Sequence, residues 1–119
     1  MYKLMMLLKK RPDLTREQFI DHYDNRHVPL MHSLLKRGAA VHRRNFVLPA
    51  SAADEGTDRE CDVIVEIFYE DLETVQGVAQ QMADPQIQRQ MREDEDRFIL
   101  KGSIRRFAVE VHETVYRPI

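Results

Sequence analysis

The chain has 119 residues, 43% of them hydrophobic and 32% charged, which suits one soluble globular domain spanning residues 1–119 with a single core. Eighteen basic residues against twenty acidic ones leave a formal charge of -2, so no whole-molecule field favours nucleic acid or an anionic membrane. Cys61 is the only cysteine, which excludes an internal disulfide and suits a reducing, cytoplasmic setting.

The opening "MYKLMMLLKK" has an apolar centre too short for a signal core or a membrane helix, and predicts a first strand over 2–9. Pro12 and Asp13 supply the turn that ends it. Thr15 and Gln18 then form a capping-box pattern that starts a helix. Phe19, Ile20, Tyr23, Leu30, Leu34 and Leu35 mark its apolar stripe, up to the stop at Gly38. Pro29 falls inside this stripe. It has no N–H for the Asn25 carbonyl and pushes Val28 away from helical torsions, so a break is expected there.

"AAVHRRNFVL" predicts a second strand, with Val41 and Val47 on one parity and His42, Arg44, Phe46 and Leu48 on the other. Within it the pair Arg43 and Arg44 points to opposite faces, as does Arg105 and Arg106 later, which makes a poor phosphate track. The polar loop "PASAADEGTDRE" follows, with no phosphate-cradling or metal-binding pattern. "CDVIVEIFYE" is the clearest strand, with Cys61, Val63, Val65, Ile67 and Tyr69 on one face and Asp62, Ile64, Glu66, Phe68 and Glu70 on the other. A second helical region starts near Asp71, pauses at Asp84 and Pro85, and restarts over 85–99. The apolar line of the restart, Ile87, Met91 and Phe98, passes through Asp94, so a carboxylate occupies a face that should be buried. "IRRFAVEVHETV" predicts a last strand.

The order strand, helix, strand, strand, helix, strand is that of a ferredoxin-like βαββαβ α+β sandwich. Its helices cover one sheet face. The other face is expected to carry Phe46, Ile64 and Phe68, too apolar for open water, and a symmetric homodimer with sheets face to face would bury it and leave a cleft between sheet and helix.

His27 lies four residues after Tyr23, so both side chains lean to one side of the helix. Imidazole exchanges a proton near neutral pH and a phenol can hold a ligand oxygen, although a plainer reading has His27 merely capping a carbonyl freed by Pro29. His22, His27 and His32 are spaced by five, which scatters them around an α-helix and argues against a metal site. Cys61 shares parity with Val63 and Val65 and reads as a core thiol, while His112, near a strand end, reads as exposed or at an interface. Glu66, between Ile64 and Phe68, needs a cation that Arg44 or Arg106 would supply. No dinucleotide fingerprint, phosphate loop or nucleophile elbow occurs, so no cofactor is expected.

The stretch "LLKKRPDLTREQFIDHYDNRHVPL" resembles the opening of the EthD family, and the likeness continues through "RRNFVLP", "CDVIVEIFYED" and "DEDRF". The resemblance implies a dimeric α+β barrel of the kind found in polyketide cyclases, decarboxylases, muconolactone-type isomerases and cofactor-free monooxygenases. In similar proteins the histidine of His-x-Pro faces the ligand cleft, which here is His27, and the region matching Asp94 to Phe98 gives Asp94 an inward place. Many fungal members carry tryptophan after the helix tyrosine, where this chain has Asp24.

The expectation is a small homodimeric enzyme without cofactor, an isomerase, cyclase or decarboxylase acting on an aromatic, lactone or polyketide-like molecule. His27 and Tyr23 would be catalytic, and Arg44, Phe46, Glu66, Phe68, Asp94 and Arg106 would bind substrate. The alternative is an oxidoreductase-associated protein, either a cofactor-free monooxygenase or a non-catalytic accessory of a catabolic oxygenase. No nucleic-acid or membrane partner is expected.

Overall fold

A computed structural model describes residues 2–35, 38–48 and 59–117, so most of the predicted polar loop lies outside the described residues. Its elements are β1 (Tyr2–Leu8), α1 (Arg16–His22), a π-helical turn (Tyr23–His27), α2 (Val28–Leu34), β2 (Val41–Phe46), β3 (Val63–Tyr69), α3 (Leu72–Met82), α4 (Pro85–Glu95) and β4 (Arg105–Glu110). The four strands form one antiparallel sheet in the order β2-β3-β1-β4, with the helices packed on one face. This is the ferredoxin-like α+β arrangement.

Local chemistry sets the helix starts. At α1 the Gln18 N–H donates to Thr15 Oγ1 at 3.1 Å while the Thr15 N–H donates to Gln18 Oε1 at 2.9 Å, a complete capping box. Asp84 accepts the Gln86 N–H at 2.8 Å and Pro85 opens α4, where no intrahelical N–H is needed.

The break expected at Pro29 takes another form. Val28 keeps helical torsions (φ -60°, ψ -48°) and its N–H donates to the Tyr23 carbonyl, five residues back. The chain absorbs the missing donor in one wide π turn, after which Pro29 sits in the first turn of α2, where its lack of an N–H costs nothing. The helix thus continues with its faces turned.

Strand pairing decides which side chains meet the helices. Phe46 pairs with Val63, and Arg44 with Val65, so the His42, Arg44 and Phe46 parity lies on the helix side. Phe46 accordingly packs edge-on against Phe19 and Tyr23, with centroids 6.1 Å apart in both cases. This corrects its placement beside Ile64 and Phe68: alternation within a strand is visible in sequence, but its side is set by register with β3. The core joins Leu8, Phe19, Tyr23, Val63, Val65, Ile67 and Phe98.

The open face carries Met5, Leu7, Ile64, Phe68, Phe107 and Val109 around Glu66, as the strand registers place them. Neither Arg44 nor Arg106 pairs with Glu66. Lys3 Nζ does so at 2.9 Å, with Arg43 at 3.7 Å and the Asn45 amide donating at 3.0 Å, because Arg44 and Arg106 project from the opposite face. Hydrogen bonding from Lys3 outweighs desolvation and holds the Glu66 carboxyl below its ordinary range.

Several boundaries also differ from expectation. The restarted helix ends at Glu95, four residues short of Ile99, and the last strand at Glu110. Cys61 precedes β3 and is half-buried instead of lying in the core, with burial pushing its thiol pKa up. His112 is exposed, 2.9 Å from Glu110.

Phe98 is fully buried and touches Phe19, Tyr23, His22 and His27 with centroids 4.7 to 5.7 Å away. Phe98→Ala should destabilise the fold by about 3–5 kcal/mol through the cavity it leaves. Urea unfolding checks this, and a loss below about 1 kcal/mol would contradict such tight packing.

Candidate active site

The π turn decides what the helical histidines can reach. On an α-helix a spacing of five would separate His22 from His27, but the wider turn brings both to one carboxylate. His27 Nδ1 lies 2.8 Å from Asp94 Oδ2 and His22 Nε2 lies 3.0 Å from Asp94 Oδ1, with Arg97 Nη1 at 3.3 Å. The expected scatter of these two residues therefore does not occur. Among the described residues no group of three or more His, Cys, Asp or Glu is placed to hold a metal.

Asp94 and His27 are each only 4% exposed, so the charge of the pair has to be settled internally. Burial opposes the Asp94 carboxylate, yet hydrogen bonds from His27 and His22 outweigh it and keep the carboxyl below its ordinary value. Burial pushes His27 down despite the bond to Asp94, so its ring is neutral at pH 7. The Asp94 oxygen then accepts the Nδ1–H, which leaves His27 Nε2 as the basic nitrogen.

Tyr23 is fully buried one helical step away, its ring edge-on to His27 at 5.5 Å. Its hydroxyl lies 3.0 Å from His42 Nε2 on β2. Burial raises the Tyr23 pKa, so the phenol keeps its proton and donates to His42. Burial first, and then the neighbouring Arg44 guanidinium, push His42 down to about 4. His42 is thus a neutral imidazole with Nε2 accepting and Nδ1 protonated. Arg44 Nε donates to Asp24 at 2.7 Å and its guanidinium lies 5.7 Å from the Tyr23 ring centre.

A cleft of about 260 Å³ lies between sheet and helix beside this assembly. His42, Arg44, His32 and Tyr69 are the polar side chains that line it, while Val28, Met31 and Ile67 contribute to its apolar wall. Neither His27 nor Tyr23 is part of this wall. His42 is, and it reaches Tyr23 from there.

The EthD domain model matches residues 11–102. The chain belongs to the EthD family. Among solved structures, an EthD family protein from Bacillus halodurans C-125 superposes with TM-score 0.62 at 21% identity, over 94% of this chain and 99% of its own. HapK from Hahella chejuensis gives TM-score 0.67 at 9% identity over 99% of each chain. A dimeric ferredoxin-like protein from an uncultured marine organism gives 0.53 at 16%, over 98% and 97%. No curated protein matches the chain. These likenesses establish the EthD domain on a ferredoxin-like fold. Among the described residues no helix is long and apolar enough to cross a membrane.

The residues expected to bind substrate do not converge. Arg44 lines the cleft, Asp94 lies beneath His27, and Phe46 is half-buried against the core. Glu66 and Phe68 occupy the open sheet face, and Arg106 sits 3.6 Å from Glu95 near the other sheet edge. His42 and His22 were not expected at the site. The shared parity of His42 with Arg44 was legible, but the π turn that recruits His22 was not.

These depressed histidines make stability depend on pH. In the unfolded chain His27 and His42 take up protons near 6.5, whereas in the folded protein they do so only lower, His42 near 4. Stability should be complete above pH 6.5 and fall on acidification toward 4, since the unfolded state then binds more protons. The urea midpoint should drop between pH 7.5 and 5, and drop less in His42→Gln. A midpoint independent of pH over that range would contradict the assignment.

Proposed function

We propose that this EthD chain is a homodimeric enzyme that needs no cofactor and performs acid–base chemistry on a small molecule in the cleft between sheet and helix. The observation that carries this reading is the 3.0 Å bond between the buried Tyr23 hydroxyl and His42 Nε2, with His42 on the wall of the cleft. With Nε2 occupied by the phenol, the neutral imidazole offers its Nδ1–H: it can give that proton to a substrate oxygen while Nε2 takes the Tyr23 proton, and the phenol behind it fixes the tautomer.

Arg44 supplies the positive charge that would hold a carboxylate or developing enolate. His27, oriented by Asp94, stands behind Tyr23 and holds the tyrosine ring in place. The volume of 260 Å³ lies just below the usual range for ligand pockets, roughly 300–1,000 Å³, which favours a single-ring substrate such as a phenolic acid or a lactone. Isomerisation, cyclisation and decarboxylation all suit this equipment.

Dimerisation is supported by the apolar open face of the sheet, where Phe107 is 49% exposed, and by the dimeric ferredoxin-like neighbour. Phe107→Asp should turn a dimer into a monomer in light scattering. A wild-type protein already monomeric at micromolar concentration would contradict this part.

Turnover is tested by screening phenolic acids and lactones with the wild type, His42→Ala and His27→Ala. His42→Ala should lose at least about a hundred-fold in kcat, the scale of a general acid–base group, and His27→Ala less. Turnover unaffected by either substitution would sink the proposal. Binding without turnover would favour the accessory reading, and oxygen consumption during turnover the monooxygenase.

A further inference from the structure

A second cavity, about 610 Å³, lies on the helix side near the opposite sheet edge, between α4, the turn after it and β4. The helices on this face leave the inner side of the edge strand β4 largely exposed, and Arg106 projects from that side. The floor is apolar: Met91 and Ile99 are nearly buried, and Met82 and Ile104 complete it. At 610 Å³ the space lies within the usual range for small-molecule pockets, roughly 300–1,000 Å³.

The charges around the floor are unequal. Arg92, Lys101 and Arg106 face two carboxylates, Glu95 and Asp96. Arg106 meets Glu95 only at 3.6 Å, longer than a good charge-assisted hydrogen bond, and its side chain is half exposed. Burial raises the Glu95 pKa, although Arg106 draws it the other way. An apolar floor beneath a cationic rim matches a molecule with a hydrocarbon body and one anionic end.

We propose that this cavity is a second ligand site, taking an amphipathic carboxylate whose hydrocarbon chain lies on Met82, Met91 and Ile99 and whose head group takes Arg106 from Glu95. The site is separate from the His42 cleft, with which it shares no lining residue. It therefore stands or falls independently of the acid–base reading.

Calorimetric titration of the full chain with decanoate tests it. The wild type should bind decanoate saturably, one per chain, and Arg106→Ala should weaken binding at least about ten-fold, the scale of one hydrogen bond to a charged group. His42→Ala should bind as the wild type does, and decyltrimethylammonium should bind at least about ten-fold more weakly than decanoate, since its charge has the wrong sign. Thermal melts confirm that both variants are folded; the exposed Arg106 side chain makes its loss tolerable to the fold. Absence of saturable binding, equal affinity for the cationic amphiphile, or loss in His42→Ala with retention in Arg106→Ala would each overturn the proposal.

Discussion

A carboxylate buried to 4% exposure has to be bonded on both oxygens, and Asp94 achieves this only because two histidines of the neighbouring helical segment reach it together. Both contacts depend on the π turn at Tyr23–His27, which shifts the helical faces so that residues five apart share a partner. The missing N–H of Pro29 is the covalent reason a regular helix is unfavourable there. One proline thus links backbone geometry to the charge state of a buried site.

The same turn fixes Tyr23. Its ring is enclosed by Phe19, Phe46, Phe98 and His27, and its hydroxyl bonds toward His42 on β2. Burial keeps the phenol protonated and the imidazole neutral, so the pair is polar without net charge. In that state the His42 Nδ1–H is the group left to donate toward a ligand, with the phenol at Nε2 as the proton reserve behind it.

Much of this was legible in the residues, for local reasons. The Thr15 and Gln18 capping box, the Asp84 and Pro85 restart and the alternation of β3 all follow from chemistry within a few residues, and each appears in the fold. The element order was enough for the ferredoxin-like layout, and the inward place of Asp94 followed from its position in an apolar stripe. What escaped depends on distant parts of the chain. Phe46 was placed on the wrong face because its side is set by pairing with Val63, and the partners of Glu66 were missed because Lys3 comes from the other end of the chain. His22 was hidden for a different reason: α-helical spacing was assumed across a turn that is not α-helical.

The tautomer and charge of His42 are the point where fold and proposed chemistry meet, and side-chain nitrogen NMR reads them directly. The expected result is a neutral His42 ring with Nδ1 protonated and Nε2 accepting a hydrogen bond, unchanged from pH 8 to pH 5.5 and titrating near 4. A His42 ring that titrates near the ordinary 6.5, or that carries its proton on Nε2 when neutral, would contradict it.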